Sequence, residues 1–160
     1  MTKQSSHPTY NTKLFSGNKK AFYDYEVLDT IEAGIILSGG EVKSVKTGQA
    51  SIKEAFIAVG NGEAWLWAAH IPQWQFSSEK GYDPLRKRKL LLHRKEIDLL
   101  TGKAKEKGLT LIPLKLYGLR GRVKVAVGIC RGKKQYEKRQ KEKERWLKHE
   151  LHEEKRRFVV

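Results

Sequence analysis

The chain has 160 residues, enough for one folded domain with a hydrophobic core and a short appendage. It carries 33 Lys and Arg against 18 Asp and Glu, a net charge of +15 that favours a polyanionic partner, nucleic acid before an anionic membrane. The single cysteine, Cys130, excludes an intrachain disulfide and a cysteine-based metal site. The sequence shows no membrane-length apolar run and no opening signal peptide, so we expect a cytoplasmic protein.

The N-terminal third contains one predicted strand and one predicted helix. Residues 1–17 are polar and aperiodic, which is typical of disorder. After the basic cluster Asn18-Lys19-Lys20, residues 21–37 are rich in aromatic and β-branched types and predict one long strand, with Gly34 at a bulge or bend. Ser38-Gly39-Gly40-Glu41 then matches a capping box and predicts a helix over residues 40–46.

A hairpin is expected next, because Gly60-Asn61-Gly62 separates two strand-like runs, residues 51–59 and 63–71. On the second run Trp65 and Trp67 alternate with Leu66. Paired tryptophans can stack nucleic-acid bases, but more often they fill the core of a small barrel, and we favour the core.

The middle of the chain combines a loop, a basic run and a helix. Residues 72–84 predict a loop, and the four basic residues 86–89 follow it directly. A helix is expected over residues 94–107, with Ile97, Leu100 and Ala104 as its buried stripe and Gly108 as its stop.

The last predicted hairpin pairs residues 109–117 with residues 122–130 around the turn at residues 118–121. Its period-2 pattern places aliphatic side chains on one buried face: Ile112, Leu114, Leu116, Val123, Val125, Val127 and Ile129. The opposite face then presents Lys115, Tyr117, Arg122 and Lys124. Such a basic and aromatic face suits a polyanion with stackable bases, although an ordinary solvated sheet face fits the same pattern.

These elements predict a mainly β fold, an OB-like antiparallel barrel of about six strands with two or three short helices, over residues 18–130. Residues 131–160 form a basic tail of good helix formers, with 12 Lys and Arg against 6 Asp and Glu. Its apolar stripe of Leu147, Leu151 and Phe158, with Trp146 beside it, is too thin to hold a helix on the barrel. We expect this tail to be disordered alone and helical on a charged partner, with a merely solubilising tail as the alternative.

Catalytic signatures are missing from the sequence. It contains no P-loop, no G-x-G-x-x-G and no G-x-S-x-G, and its five histidines have no metal-ligand spacing. His70 or His93 with Lys89 could nominally serve a metal-free ribonuclease, but a lone histidine is usually structural. We therefore expect no enzyme, no metal and no cofactor.

Four stretches resemble the SmpB family, the SsrA-binding (tmRNA-binding) proteins of bacterial trans-translation. They are NKKAFYDYEVLDTIEAGIILSGGEVKSV, GEAWLWAAHI, YDPLRKRKLLLHRKEIDLL and GRVKVAVGICRGKKQYEKR, in the family's order and spacing. The resemblance implies an adaptor whose OB-like barrel binds the tRNA-like domain of tmRNA, as a monomer in a 1:1 complex. It also implies a tail that enters the decoding centre and mRNA channel of a stalled ribosome, contacts rRNA there, and replaces codon–anticodon pairing.

Matching motif positions imply a set of RNA-facing residues: Asn18, Lys19, Lys20, Tyr25, Glu32, Leu91 and Lys124, with Arg86, Arg88 and Lys89 as phosphate contacts. Glu32 would accept hydrogen bonds from base donors or 2′-hydroxyls, and Leu91 would pack on a base or sugar edge, with core packing as its alternative. The tail residues implied to face the ribosome are Gly132, Lys133, Lys134, Tyr136, Lys138, Arg139, Lys143 and Arg145. Glu137 stands where the family more often has Asp, and the last dozen residues match less closely.

Two other functions remain open from the sequence. One is a basic ribosome-associated or tRNA-binding protein without a tmRNA role. The other is membrane association through the tail, which its six acidic residues and narrow apolar face disfavour.

Overall fold

The computed structural model describes residues 12–158, without the side chains of residues 135, 136, 154, 157 and 158. The elements in chain order are β1 (Lys13–Gly17), α1 (Lys19–Asp24), β2 (Tyr25–Ile35), α2 (Gly39–Lys46), β3 (Phe56–Gly60), β4 (Glu63–Trp67), β5 (Arg88–Leu91), α3 (Arg94–Lys105), β6 (Leu109–Leu119), β7 (Arg122–Gly132) and α4 (Gln135–Phe158).

The seven described strands form one antiparallel sheet in the order β1-β6-β7-β2-β5-β4-β3. Strand β3 also packs beside β6, so the sheet curls around its core. The predicted mainly β, antiparallel fold with short helices is confirmed, with seven strands rather than about six. None of the described helices combines the length and the apolarity needed to cross a membrane.

Strand β7 carries the main core as its alternation predicted. Val123, Val125, Val127 and Ile129 all belong to the large buried cluster inside the curled sheet. The prediction for β6 was wrong in part, because a bulge shifts its register between Pro113 and Lys115. The bulge changes which side chains of β6 face the core. Leu116, beyond the bulge, packs in the main core, whereas Ile112, before it, and Leu114, within it, pack in a second cluster outside.

The first predicted strand begins later than expected. Residues 21–24 belong to helix α1, because the Asn18 side-chain oxygen accepts a hydrogen bond from the Ala21 N–H at 3.1 Å and caps the helix. The capping box of Ser38 and Glu41 is present in α2, as predicted.

The hairpin signals are confirmed, although the strands are shorter than predicted. Asn61 and Gly62 have positive φ angles of 52° and 71°, as a tight two-residue turn between β3 and β4 requires. Beyond these strands only an isolated bridge joins Ser51 to His70. Helix α3 buries Ile97 and Leu100, but Ala104 is exposed.

The two ends of the chain contain a strand and a helix that the sequence did not predict for the free protein. Strand β1 occupies residues 13–17, which were expected to be disordered; its Phe15 ring lies over Gly118, where a Cβ would come within 3.0 Å. The rest of that prediction, residues 1–11, lies outside the described residues. The tail is a 24-residue helix, α4, so the expected disorder of the free tail is not confirmed.

Candidate nucleic-acid interface

Three residues implied to face RNA meet on the outer face of the sheet. Glu32, Leu91 and Lys124 line one open cleft of about 640 Å³. The strand register brings them together, because Gly34 of β2 pairs with Leu91 on one side and with Lys124 on the other. Leu91 is 53% exposed, so the alternative of core packing is wrong for this residue.

Tyr117 belongs to the same surface and was not among the implied site residues. It pairs with Lys124 in the β6–β7 register, and its hydroxyl donates a hydrogen bond to Glu32 Oε2. Burial raises the pKa of Tyr117, and the Glu32 carboxylate raises it further, so the phenol keeps its proton. A carboxylate accepts through two oxygens, so Glu32 can hold Tyr117 with one and accept from a ligand with the other.

A second group of implied residues lies around helix α1. Lys19 and Lys20 are exposed, and Lys20 Nζ is 2.9 Å from Glu54 Oε1. Lys20 and Tyr25 line a smaller cavity on the outside of the barrel. Tyr25 and Glu32 are seven positions apart along β2, roughly 23 Å at strand spacing, so the two groups are distinct parts of one surface.

Asn18 is not available to RNA, and the expectation for it was wrong. The residue is 2% exposed. Its side-chain nitrogen donates to the carbonyl oxygens of Ile52 at 3.2 Å and of Pro113 at 2.9 Å, while its side-chain oxygen caps α1. Asn18 therefore ties α1 to the barrel and positions Lys19 and Lys20.

Arg88 is also misassigned by sequence reasoning. Its side chain is 0% exposed and forms an ion pair with the buried carboxylate of Glu41, with Nη2 at 2.6 Å from Oε2. Arg88 Nη1 donates to Ala69 O at 2.6 Å, and Nη2 donates to Pro84 O at 3.0 Å. These bonds hold the loop between β4 and β5 against the core, so Arg88 is a structural residue.

The remaining members of the basic run have different environments. Arg86 is half-buried and forms an ion pair with Glu41. Lys89 is half-buried on the outer face, with Nζ 3.0 Å from Glu63 Oε1. Only Arg86 and Lys89 of the three implied phosphate contacts therefore reach the surface.

Glu41 is ionised in this buried network. Burial raises the pKa of Glu41, but the Ser38 N–H and the guanidiniums of Arg86 and Arg88 outweigh it and hold the pKa below its ordinary value. The Tyr82 hydroxyl oxygen completes the network, 3.2 Å from Glu41 Oε2 and 2.6 Å from Ile71 O.

The tryptophans of β4 lie on the outer face, and the core assignment for them was wrong. Leu66 and Ala64 are the buried residues of this strand, whereas Trp65 is half-buried and Trp67 is exposed. Lys87 lies over both indole rings, with Nζ 4.3 Å from the Trp65 centroid and 5.4 Å from that of Trp67. The alternation with Leu66 could have predicted this exposure, because Leu66 takes the core position.

Lys133 and helix α4, which follow β7, contact helix α1. Lys138 Nζ is 3.2 Å from Asp24 Oδ1, and Lys133 Nζ donates to Phe22 O at 2.9 Å. Tyr23 donates a hydrogen bond to Glu142, and the Arg145 guanidinium carbon is 5.9 Å from the Tyr23 ring centroid. Among the other implied tail residues, Gly132, Lys134, Arg139 and Lys143 are exposed, and the side chain of Tyr136 lies outside the described set.

Metal-ligating side chains do not cluster in the described part of the chain. Among the described side chains, no three His, Cys, Asp or Glu residues form a group that could hold a metal ion. Cys130 is buried, and burial raises its pKa to about 11, so the thiol is not a nucleophile at neutral pH.

The fold and this surface define a small basic β-barrel protein of the RNA-binding class. The family model described as SmpB protein matches residues 15–157. The chain therefore belongs to the SmpB family.

Individual relatives agree over nearly the whole chain. The SsrA-binding protein of Sulfurihydrogenibium sp. (strain YO3AOP1) is 48% identical over 87% of this chain and 91% of its own. That of Corynebacterium efficiens is 46% identical over 94% of this chain and 92% of its own. A solved chain described as "tmRNA-SmpB: a journey to the center of the bacterial ribosome" is 47% identical with a TM-score of 0.63, covering 74% of this chain and 84% of that one.

Proposed function

We propose that this protein is a tmRNA-binding adaptor of trans-translation. The observation that carries the proposal is the family match over residues 15–157, with SsrA-binding relatives at 48% identity. The barrel binds the tRNA-like domain of tmRNA as a monomer in a 1:1 complex, and the protein acts in the cytoplasm. The protein contributes binding and positioning, with no chemical step of its own.

The outer-face cleft supports the RNA-binding half of this proposal. It combines an anionic acceptor, an apolar contact and a cation in Glu32, Leu91 and Lys124. Structured RNA offers matching groups, because its unpaired bases and 2′-hydroxyls donate and stack while its phosphates need cations. Lys19, Lys20, Tyr25, Arg86 and Lys89 extend the same contact to the rest of the exposed surface.

Helix α4 carries the ribosomal half of the proposal. It occupies the decoding centre and the mRNA channel of a stalled ribosome in place of codon–anticodon pairing. The exposed cations Lys134, Arg139 and Lys143 suit the phosphates of rRNA. In the free chain, helix α1 is contacted by the side chains of Lys133, Lys138 and Arg145. On the ribosome these side chains leave α1 and contact rRNA instead.

Competitive binding tests the RNA assignment. The full-length protein is titrated at physiological salt with the tRNA-like domain of tmRNA, an ordinary tRNA and an unrelated duplex of equal length. We expect clear preference for the tRNA-like domain, since nonspecific phosphate binding weakens steeply with salt. Equal binding to all three RNAs would reduce the function to generic RNA binding.

Glu32→Ala should weaken binding of the tRNA-like domain by roughly 10- to 100-fold, the range for a lost hydrogen bond to a charged group. Removing a negative charge would by itself strengthen binding to a polyanion, so a loss identifies a specific contact. The control is Glu106→Ala, which removes an exposed acid at the end of α3, away from the cleft. Melting temperatures should stay close to that of the wild type; a large drop for Glu32→Ala would mark Glu32 as structural.

A further inference from the structure

An exposed aromatic surface on β3 and β4 has no role in the interface described above. Phe56 and Trp67 pair in register, with ring centroids 6.4 Å apart and an interplanar angle of 5°. They are 47% and 39% exposed, unlike the buried Ile57 and Leu66 beside them in sequence. We call Phe56, Trp65, Trp67 and Lys87 the aromatic platform.

Lys87 gives the platform a positive charge over its rings. Its ammonium lies within cation–π distance of both Trp65 and Trp67. An apolar protein partner that covered this surface would have to bury the ammonium without a counter-charge, which is costly. A nucleotide avoids that cost, because its phosphate brings the counter-charge and its base offers a flat face to the rings.

Trp65 is held in place by its neighbours. Its indole N–H donates to Glu63 Oε2 at 3.3 Å, while Glu63 Oε1 accepts from Lys89 Nζ at 3.0 Å. The Lys89 ammonium holds the pKa of Glu63 below its ordinary value, so the acceptor stays ionised. The ring orientation is therefore set before any ligand arrives, which lowers the entropy cost of stacking.

The platform is continuous with both parts of the proposed RNA surface. Lys89 pairs with Trp65 in register, and Leu91 follows Lys89 on the same face of β5. At the other end Phe56 lines the cavity that also contains Lys20 and Tyr25. The aromatic rings thus lie between the cleft at Leu91 and the cavity beside α1.

We propose that the aromatic platform stacks an unpaired base of the RNA that the barrel binds, with Lys87 contacting the adjoining phosphate. This inference rests on the proposed function and adds to it a third contact region, which links the other two. The exposed face of Trp67 with Phe56 beside it receives the base, and Lys87 moves from the indole faces toward the phosphate.

The test compares full-length variants by titration with the tRNA-like domain at physiological salt. Trp67→Ala should weaken binding about 30-fold, the middle of the range for one lost base–aromatic stack. Trp67→Phe should restore most of the affinity, because a phenyl ring still offers a face. Phe76→Ala is the matched control, since Phe76 is an exposed aromatic in the loop outside the platform.

Salt dependence separates the two contacts of the platform. Trp67→Ala should leave the slope of log K against log salt unchanged, because stacking releases no counterions. Lys87→Gln should reduce that slope by roughly 0.7 for its one phosphate contact.

Two results would overturn the platform while leaving the proposed function intact. In the first, the wild type prefers the tRNA-like domain, but Trp67→Ala binds that RNA as tightly as Phe76→Ala does. In the second, Trp67→Ala keeps its affinity for the RNA but loses tagging activity. That result would assign the surface to a protein partner. Failure of the wild type to prefer the tRNA-like domain would instead remove the proposed function itself.

Discussion

A chain that ends at Gly132 is expected to bind the tRNA-like domain of tmRNA with affinity within a few-fold of the full-length protein and to lose tagging of stalled nascent chains completely. Binding survives because the cleft, the α1 cavity and the platform all lie within residues 12–132. Tagging is expected to fail because, under the proposed function, α4 is the element that occupies the decoding centre. The measurements are titration at physiological salt and a reconstituted tagging assay.

The structure determines where this truncation must be made. Strand β7 continues to Gly132, which pairs with Tyr25, and Arg131 pairs with Leu109. A cut at residue 130, the boundary predicted from the sequence, would remove these pairings and fray the barrel beside α1. A cut after Gly132 leaves the sheet whole and removes only the linker and α4.

A scrambled tail is the matched control for the truncation. It keeps the composition and net charge of residues 133–160 but not their order, so it preserves any purely electrostatic or solubilising effect. We expect it to bind RNA and to remain inactive in tagging. If either the truncated chain or the chain with the scrambled tail supports tagging, the proposed role of α4 is contradicted. If the truncated chain loses RNA binding, the division into barrel and tail is contradicted.

Glu41→Gln is expected to lower the free energy of unfolding by about 3–5 kcal/mol, the cost of leaving a buried charge without its partner. Glu41 is 1% exposed and is the carboxylate that balances Arg88 in the core. A glutamine keeps the shape of the side chain and removes only the charge. Urea denaturation measures the loss, which amounts to several degrees of melting temperature or more in a domain of this size.

Two further variants check the origin of this loss. Glu63→Gln removes the acid of an exposed ion pair with Lys89, and its effect should be far smaller because solvent screens that pair. Adding Arg88→Met to Glu41→Gln should recover much of the stability, since it removes the uncompensated cation. A Glu41→Gln protein as stable as Glu63→Gln would show that the buried network contributes little.

The same carboxylate predicts acid sensitivity. Because the pKa of Glu41 in the folded chain lies below its ordinary value of 4.5, its stabilising contribution is complete above that value. The contribution is lost as the pH falls from about 4.5 through the lowered pKa, where the folded state must take up a proton. Urea midpoints between pH 7 and pH 3 should therefore fall more steeply for the wild type than for Glu41→Gln.

Local signals in the sequence determined much of this protein. The alternation of Val123, Val125, Val127 and Ile129 predicted the main core strand, and the capping box predicted α2. The Asn61-Gly62 turn predicted the hairpin of β3 and β4. Each of these signals acts over a few residues, because backbone dihedrals, caps and side-chain periodicity are local properties. The charge and the motif order likewise indicated an RNA-binding protein of the SmpB family before any fold was known.

Only the tertiary structure decided which charged and aromatic residues face the solvent. Arg88 is buried because Glu41, far away in sequence, neutralises it, and Asn18 is buried because carbonyl groups of two distant segments accept its protons. The bulge in β6 depends in the same way on the neighbouring strand β7. Burial of a polar group depends on the partner that folding brings to it, and that partner is set by long-range packing rather than by adjacent residues.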